Sequence, residues 1–259
     1  MNFTFVDPWH LFLPREAGHV VSLMGSGGKT SLMRIMAEVY RAEGIPVVLT
    51  TTTRSEPLAD LPAVLYEDLV SADPLGLPDV FFVHAGTAAE DKWAGLSPEE
   101  VDELGGLLCD RVVLAEVDGA AKLPLKLHRG DEPVWPGRTS LGIVVMGAGA
   151  VGSKTGEVLH RFGRITGPLP GDLQDWTVWE WDHSLALLQK DGGYLDRVPA
   201  GVPCVLALTG MEAQPDSIGL FDFVGRVMED GRLPLTMFCD LSPEPPVIRT
   251  ACNVTEEPR

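Results

Sequence analysis

Apolar residues along the chain fall into short unbroken runs separated by amphipathic stretches, the alternation expected of buried parallel strands joined by helices. The first run is His19-Val20-Val21-Ser22-Leu23-Met24. Leu32, Ile35, Met36, Val39 and Tyr40 then recur at helical spacing until Gly44 closes the pattern. Pro46-Val47-Val48-Leu49 reads as a second buried strand and ends in Thr50-Thr51-Thr52-Thr53-Arg54. A helix between two apolar strands is a βαβ unit, so the strands run parallel and their C-terminal ends share one sheet edge. Further strands are predicted at 79–83, 110–117, 141–146 and 202–208, with 235–239 as the last. Ser97-Pro98-Glu99-Glu100 opens a helix with an N-cap and proline at N1, and 218–228 forms another. Residues 55–78 are rich in proline and leucine and poorly periodic. The whole, 1–259, reads as one domain, with 1–18 an N-terminal cap and 243–259 an irregular tail.

The first strand runs into Gly25-Ser26-Gly27-Gly28-Lys29-Thr30-Ser31. Glycines here let the backbone take φ > 0 and bring successive N–H groups close to an anion. A helix opening at Thr30 adds its positive end. Lys29 then reaches the β- and γ-phosphates, and the Thr30 hydroxyl ligates Mg²⁺. The full pattern G-x-x-x-x-G-K-[ST] asks for glycine where Leu23 stands, so the loop is a compact variant, similar to those of Mur-type amide ligases. The expected fold is therefore an α/β, P-loop NTPase-like three-layer fold with a mainly parallel sheet. A plain glycine-rich turn with an exposed lysine is the competing reading.

Two acids, Glu116 and Asp118, stand at the end of the strand segment that begins at Asp110 and share one of its faces by their i, i+2 spacing. Buried acids need compensation, and Mg²⁺ held through the loop supplies it. One acid is expected on the metal and the other orienting the attacking nucleophile; solvated carboxylates at a strand tip are the alternative. Thr51 and Thr52, at a strand end beside the loop, are candidates for Mg²⁺ or a γ-phosphate, although threonine is also a good strand residue. Lys92 faces the substrate or pairs with Asp91.

Composition limits the partners. Twenty Lys and Arg against 37 Asp and Glu give a net charge of −17, which opposes nucleic acids and anionic membranes. No apolar stretch is long enough to span a bilayer, and the start lacks the features of a signal peptide. Cys109, Cys204, Cys239 and Cys252 form no C-x-x-C pair, so reduced thiols in a cytoplasmic protein are expected.

Several motifs stand in a specific order: the Gly-Ser-Gly-Gly-Lys-Thr loop, Thr50 to Thr53, Asp91-Lys92-Trp93-Ala94-Gly95-Leu96, Glu116-Val117-Asp118-Gly119-Ala120, Leu123-Pro124-Leu125-Lys126, Glu132-Pro133-Val134 and His160-Arg161. Together, over about residues 18–168, they resemble the YqeC-type family, the accessory proteins of selenium-dependent molybdenum hydroxylases, also called selenium cofactor biosynthesis proteins. The resemblance implies a P-loop-type fold and a role in maturing a selenium-containing molybdenum hydroxylase. With the loop and the acids, the expectation is a protein that binds Mg²⁺ and ATP, or else GTP, and uses hydrolysis to support insertion of a selenium or molybdenum cofactor. The resemblance draws in Lys126 and Glu132, with Arg129 beside them, to meet a phosphate or an anionic pterin, or else to pair with each other. It also draws in Arg161, as a charge for the γ-phosphate transition state. Val117 replaces the family's usual alanine on the opposite strand face. The segment 205–212 lacks the Asn and Asp associated with guanine recognition.

Three other functions compete: a ligase or kinase acting on a small acceptor, a non-catalytic chaperone switched by nucleotide, and an NAD-dependent oxidoreductase. The last rests on Gly147-Ala148-Gly149-Ala150-Val151-Gly152, a G-x-G-x-x-G pattern after an apolar run. It lacks a strand ending in an acid some 20 residues later. A glycine-rich loop at the shared sheet edge is the preferred reading of this stretch. Trp176, Trp179 and Trp181 are expected in the core.

Overall fold

The structure is a computed structural model that describes residues 13–71, 76–165, 167–213, 217–241 and 247–252. Most of the N-terminal cap and the ends of the C-terminal tail lie outside these residues. Among the described residues a nine-stranded sheet forms the centre. Its strands are β1 (Val20–Gly25), β2 (Val47–Thr51), β3 (Ala63–Leu65), β4 (Val80–His84), β7 (Val112–Glu116), β9 (Thr139–Gly147), β11 (Cys204–Thr209), β12 (Leu235–Asp240) and β13 (Val247–Cys252). Two short pairs stand apart: β5 (Thr87–Ala89) with β6 (Lys92–Trp93), and β8 (Leu125–Lys126) with β10 (Leu159–His160). Across the sheet the order is β13-β12-β11-β9-β1-β7-β2-β4-β3, with every pairing parallel except β12–β13.

Period-two alternation divides the core between the two faces of the sheet. On β1, Val20 and Met24 join one buried cluster, while Val21 and Leu23 join the other. Helix α1 (Lys29–Ala42) covers the second face with Leu32, Met33, Met36 and Tyr40. Helices α3 (Pro98–Leu107), α5 (Trp181–Gln189) and α6 (Ser217–Glu229) cover the first, completing three layers. α2 (Tyr66–Ser71) and α4 (Thr155–Val158) are single turns or little more. At α3 the sequence is read directly: Ser97 accepts from the Glu100 N–H, Glu100 accepts from the Ser97 N–H, and Pro98 fills the first turn.

Strand order singles out one point on the sheet edge. After β7 the chain crosses β1 and continues on its other side with β9, β11 and β12. The C-terminal end of β1 is thus the point where the winding reverses, and open parallel sheets bind ligands there.

Three expectations change, and one preferred reading holds. Strand β13 continues the sheet beyond 235–240 and occupies part of the expected irregular tail, because an antiparallel edge strand needs only a return loop. The poorly periodic stretch 55–78 supplies β3 and α2; a three-residue edge strand is too short to show periodicity. Trp179 and Trp181 are buried, but Trp176 is 71% exposed. The G-x-G-x-x-G stretch is the glycine-rich turn preferred for it and opens no long helix: β9 passes into a 3₁₀ turn at Ala148–Ala150, and α4 is four residues long. Gly147 instead allows close packing, since a Cβ there would lie 2.5 Å from the Pro124 Cβ.

Candidate functional site

The loop between β1 and α1 is shaped by glycine. Gly25 and Gly27 have φ of 101° and 90°, in the left-handed region. A Cβ on Gly25 would meet the Val145 carbonyl oxygen, and one on Gly27 would lie 2.8 Å from the Gly147 backbone. The Gly25 N–H donates to both Asp118 oxygens, and the Ser26 N–H donates to Val145 O at 2.9 Å. The Ser26 hydroxyl donates to Leu123 O, and the Thr209 hydroxyl to Gly27 O. Gly25 and Ser26 therefore brace the loop and do not line it. Gly27, Gly28, Lys29, Thr30 and Ser31 do line a cavity of about 600 Å³. Gly28 caps α1 without a side chain, and a helix's first N–H groups have no acceptor within it.

Lys29 is 3% exposed. Its ammonium folds back to donate to Gly25 O at 2.6 Å and lies 3.1 Å from Asp118 and 3.5 Å from Glu116. Burial opposes its charge, but the two carboxylates outweigh burial and raise its pKa. The Thr30 hydroxyl donates to Glu116 Oε2 at 3.0 Å. Hydroxyl and carboxylate are thus adjacent hard oxygens at the cavity wall, a pair that fits Mg²⁺. Among the described residues no group of three or more His, Cys, Asp or Glu side chains converges, so further ligands to such an ion would come from phosphates and water.

The two acids predicted to act together separate here. Glu116 lines the cavity, whereas Asp118 has no exposed surface. Besides Gly25 and Lys29, Asp118 accepts from His128 Nε2 at 2.6 Å and pairs with Lys126 at 3.2 Å. Burial works against its charge, yet Lys29, His128 and Lys126 hold its carboxyl well below the usual range. Its oxygens are committed to these partners, which sets it behind the loop and away from the cavity that Glu116 lines.

Lys126 and Arg161 also stand behind the loop and do not line the cavity. Lys126 is fully buried and donates to Gly119 O at 2.6 Å and to Glu132 at 3.1 Å. Burial, the largest influence, lowers its pKa and that of His128. Arg161 grips Glu132 in a fork, at 2.6 and 2.8 Å, and donates to Leu127 O at 3.0 Å. Burial opposes the Glu132 charge, but Arg161 and Lys126 bring its pKa down to about 2. The β8–β10 pairing brings these segments together. The expected reach of Arg161 to a γ-phosphate is not what the structure shows; its fork is occupied. Arg129 is exposed and meets this group through its carbonyl, which accepts from the Glu132 N–H at 3.3 Å.

The threonine run is likewise divided. Thr50 and Thr51 line the cavity, while their hydroxyls donate to Val83 O and Glu116 O, each at 2.9 Å. The Thr52 hydroxyl donates to Val134 O at 2.9 Å and is turned to a neighbouring segment. Lys92 reaches the rim and pairs with Glu56, at 3.3 Å, not with Asp91. Sequence reasoning missed His128, whose only signal was its place between Lys126 and Glu132, and Arg34, Arg54 and Lys122 at the rim.

The YqeC protein family matches residues 21–163, the span that carries the loop, both acids and Arg161. The chain belongs to the YqeC family. The uncharacterized protein YqeC of Escherichia coli (strain K12) is 36% identical over 209 residues, covering 76% of this chain and 79% of that relative. No solved structure matches the chain. The YqeC match ends at the β10 exit, so β11 and β12, beside the loop's other flank, lie beyond it. Among the described residues no helix is long and apolar enough to cross a membrane.

Proposed function

We propose that the chain binds a nucleoside triphosphate with Mg²⁺ and hydrolyses it in support of the maturation of a selenium-dependent molybdenum hydroxylase. The observation that carries the nucleotide reading is the set of contacts at the head of α1: Lys29 folded onto Gly25 between Glu116 and Asp118, with Thr30 on Glu116. The N–H groups from Gly27 to Ser31 cradle the phosphates, and Lys29 leaves its carbonyl for the β- and γ-oxygens. Thr30 and Glu116 would hold Mg²⁺, which neutralises charge developing on the phosphates. Asp118 anchors Lys29 and the Gly25 N–H from behind and so fixes the loop before nucleotide arrives. The tip of β11, Thr209-Gly210-Met211-Glu212, offers neither Asn nor Asp, which favours ATP over GTP. The client role rests on family membership and the motifs quoted above.

Phosphate release from ATP and GTP, followed with and without Mg²⁺, tests this reading. Glu116→Gln is expected to lower the Mg²⁺-dependent rate by about 10²-fold while nucleotide still binds. A rate untouched by Glu116→Gln, or equal without Mg²⁺, contradicts it.

A further inference from the structure

The cavity extends well past the phosphate loop, and its charge is opposite to that of the chain. Lys29, Arg34, Arg54, Lys92 and Lys122 line it, five of the 20 basic residues, against Glu56 and Glu116, two of the 37 acidic ones. Such a concentration of cations in an acidic protein marks the place where an anion is drawn in. Lys29 serves the loop; the other four stand away from it. Their carriers are distinct: α1 holds Arg34, the segment after β2 holds Arg54, β6 holds Lys92, and Lys122 follows β7.

The partners of these cations leave them available. Lys92 and Lys122 share Glu56, at 3.3 and 2.8 Å, so two ammonium groups meet one carboxylate. Arg34 pairs with the exposed Asp60. Lys122 is 80% exposed, and both it and Ala121 have positive φ, an uncommon backbone for side chains larger than glycine. Beneath the rim, Met33, Leu58 and Phe82 form an apolar floor, and Phe82 is stacked under Trp93 with ring centroids 5.2 Å apart. A basic rim over an apolar floor fits an organic anion with a flat body.

Its position follows from the metal pair. A Mg²⁺ ion held by Thr30 and Glu116 would sit at the end of β7, and from there the cavity continues past Thr50 and Thr51 of β2 to Arg54 and Lys92, so the terminal phosphate would face that part of it. We infer that the part of the cavity beyond the loop, rimmed by Arg34, Arg54, Lys92 and Lys122, binds a second substrate: a small organic anion with a flat apolar body, set against the terminal phosphate of the nucleotide. This rests on the nucleotide reading above and extends it to a two-substrate site.

The test uses the full chain saturated with Mg²⁺ and the β,γ-imido analogue of ATP or GTP, so that the loop is filled. 4-Nitrophenyl phosphate is then titrated calorimetrically, with neutral 4-nitrobenzyl alcohol as the comparison. Wild type is expected to bind the phosphate ester at least tenfold more tightly than the alcohol. The double variant Arg54→Ala/Lys122→Ala, altered at two exposed side chains, is expected to lose that preference while its affinity for the imido analogue stays within twofold. Equal binding of ester and alcohol, or an undiminished preference in the variant, overturns the inference but not the nucleotide reading. A matching loss of analogue affinity also overturns it, by assigning the cations to the nucleotide itself. Absence of analogue binding in wild type overturns the nucleotide reading and this inference with it.

Discussion

Two groups of charged residues meet at Lys29, and they differ in how much of their bonding is already committed. In front of the loop, Glu116, Thr30 and the rim cations border open volume, and their bonds to one another are few. Behind it, Asp118, Lys126, His128, Glu132 and Arg161 are packed into a network in which nearly every donor and acceptor is satisfied. By residue type the two sets look alike. The network holds a loop in place; the front set is left to meet a ligand. A polar residue at a strand end is therefore assigned by its unspent hydrogen-bonding capacity, not by its identity.

The sharpest way to break this distinction is to remove one acid from each group. Asp118→Asn strips the buried Lys29 and Lys126 of their shared counter-charge and is expected to cost about 3–5 kcal/mol in urea unfolding. Glu116→Gln, at the cavity wall, should cost less than about 1 kcal/mol in the same measurement. Equal losses would erase the difference between front and back.

Acid titration probes the network as a whole. Burial opposes the Glu132 charge, but Arg161 and Lys126 bring its folded-state pKa down to about 2 from its ordinary 4.5, and the Asp118 carboxyl is likewise held below its ordinary range. Below its ordinary pKa each carboxyl binds more protons unfolded than folded, so stability falls as pH falls. The Glu132 contribution is full above about pH 4.5 and is lost as pH falls to about 2. His128, held neutral by burial, acts in the same direction below its ordinary 6.5, because unfolding lets it take up a proton. Urea midpoints between pH 7 and pH 3 should fall for wild type and fall less steeply for Glu132→Gln. Parallel slopes would show that Glu132 is not held as described.

A smaller effect is expected from Arg161→Lys, which keeps the charge but loses the fork on Glu132. It should lower stability by about 1–2 kcal/mol and leave nucleotide affinity within twofold. A large loss of affinity with unchanged stability would return Arg161 to the front group.

Much of the fold was legible in the sequence because its signals are local. Val20 to Met24 is an apolar run, Leu32 to Tyr40 keeps helical period, and Ser97, Pro98 and Glu100 spell out a helix start within four positions. The loop was legible for the same reason, since its glycines, Lys29 and Thr30 are contiguous. What escaped depends on contacts between distant segments. Nothing near Asp118 discloses that His128 and Lys126 consume its oxygens, and Arg161 meets Glu132 only because β10 pairs with β8. Gly147 matched a dinucleotide pattern, yet its lack of a side chain serves the packing of Pro124 and Gly27. The cationic rim drew together residues from four segments, each unremarkable alone.

The central claim is that Lys29 and the loop bind a nucleoside triphosphate with Mg²⁺. Calorimetric titration of wild type and Lys29→Ala with ATP, GTP and NADH, with and without Mg²⁺, tests it most directly. The account predicts Mg²⁺-dependent triphosphate binding in wild type, weakened by about 10²-fold or more in Lys29→Ala. Binding of NADH alone, unchanged by the substitution, would contradict it and move the ligand to the Gly147 to Gly152 turn.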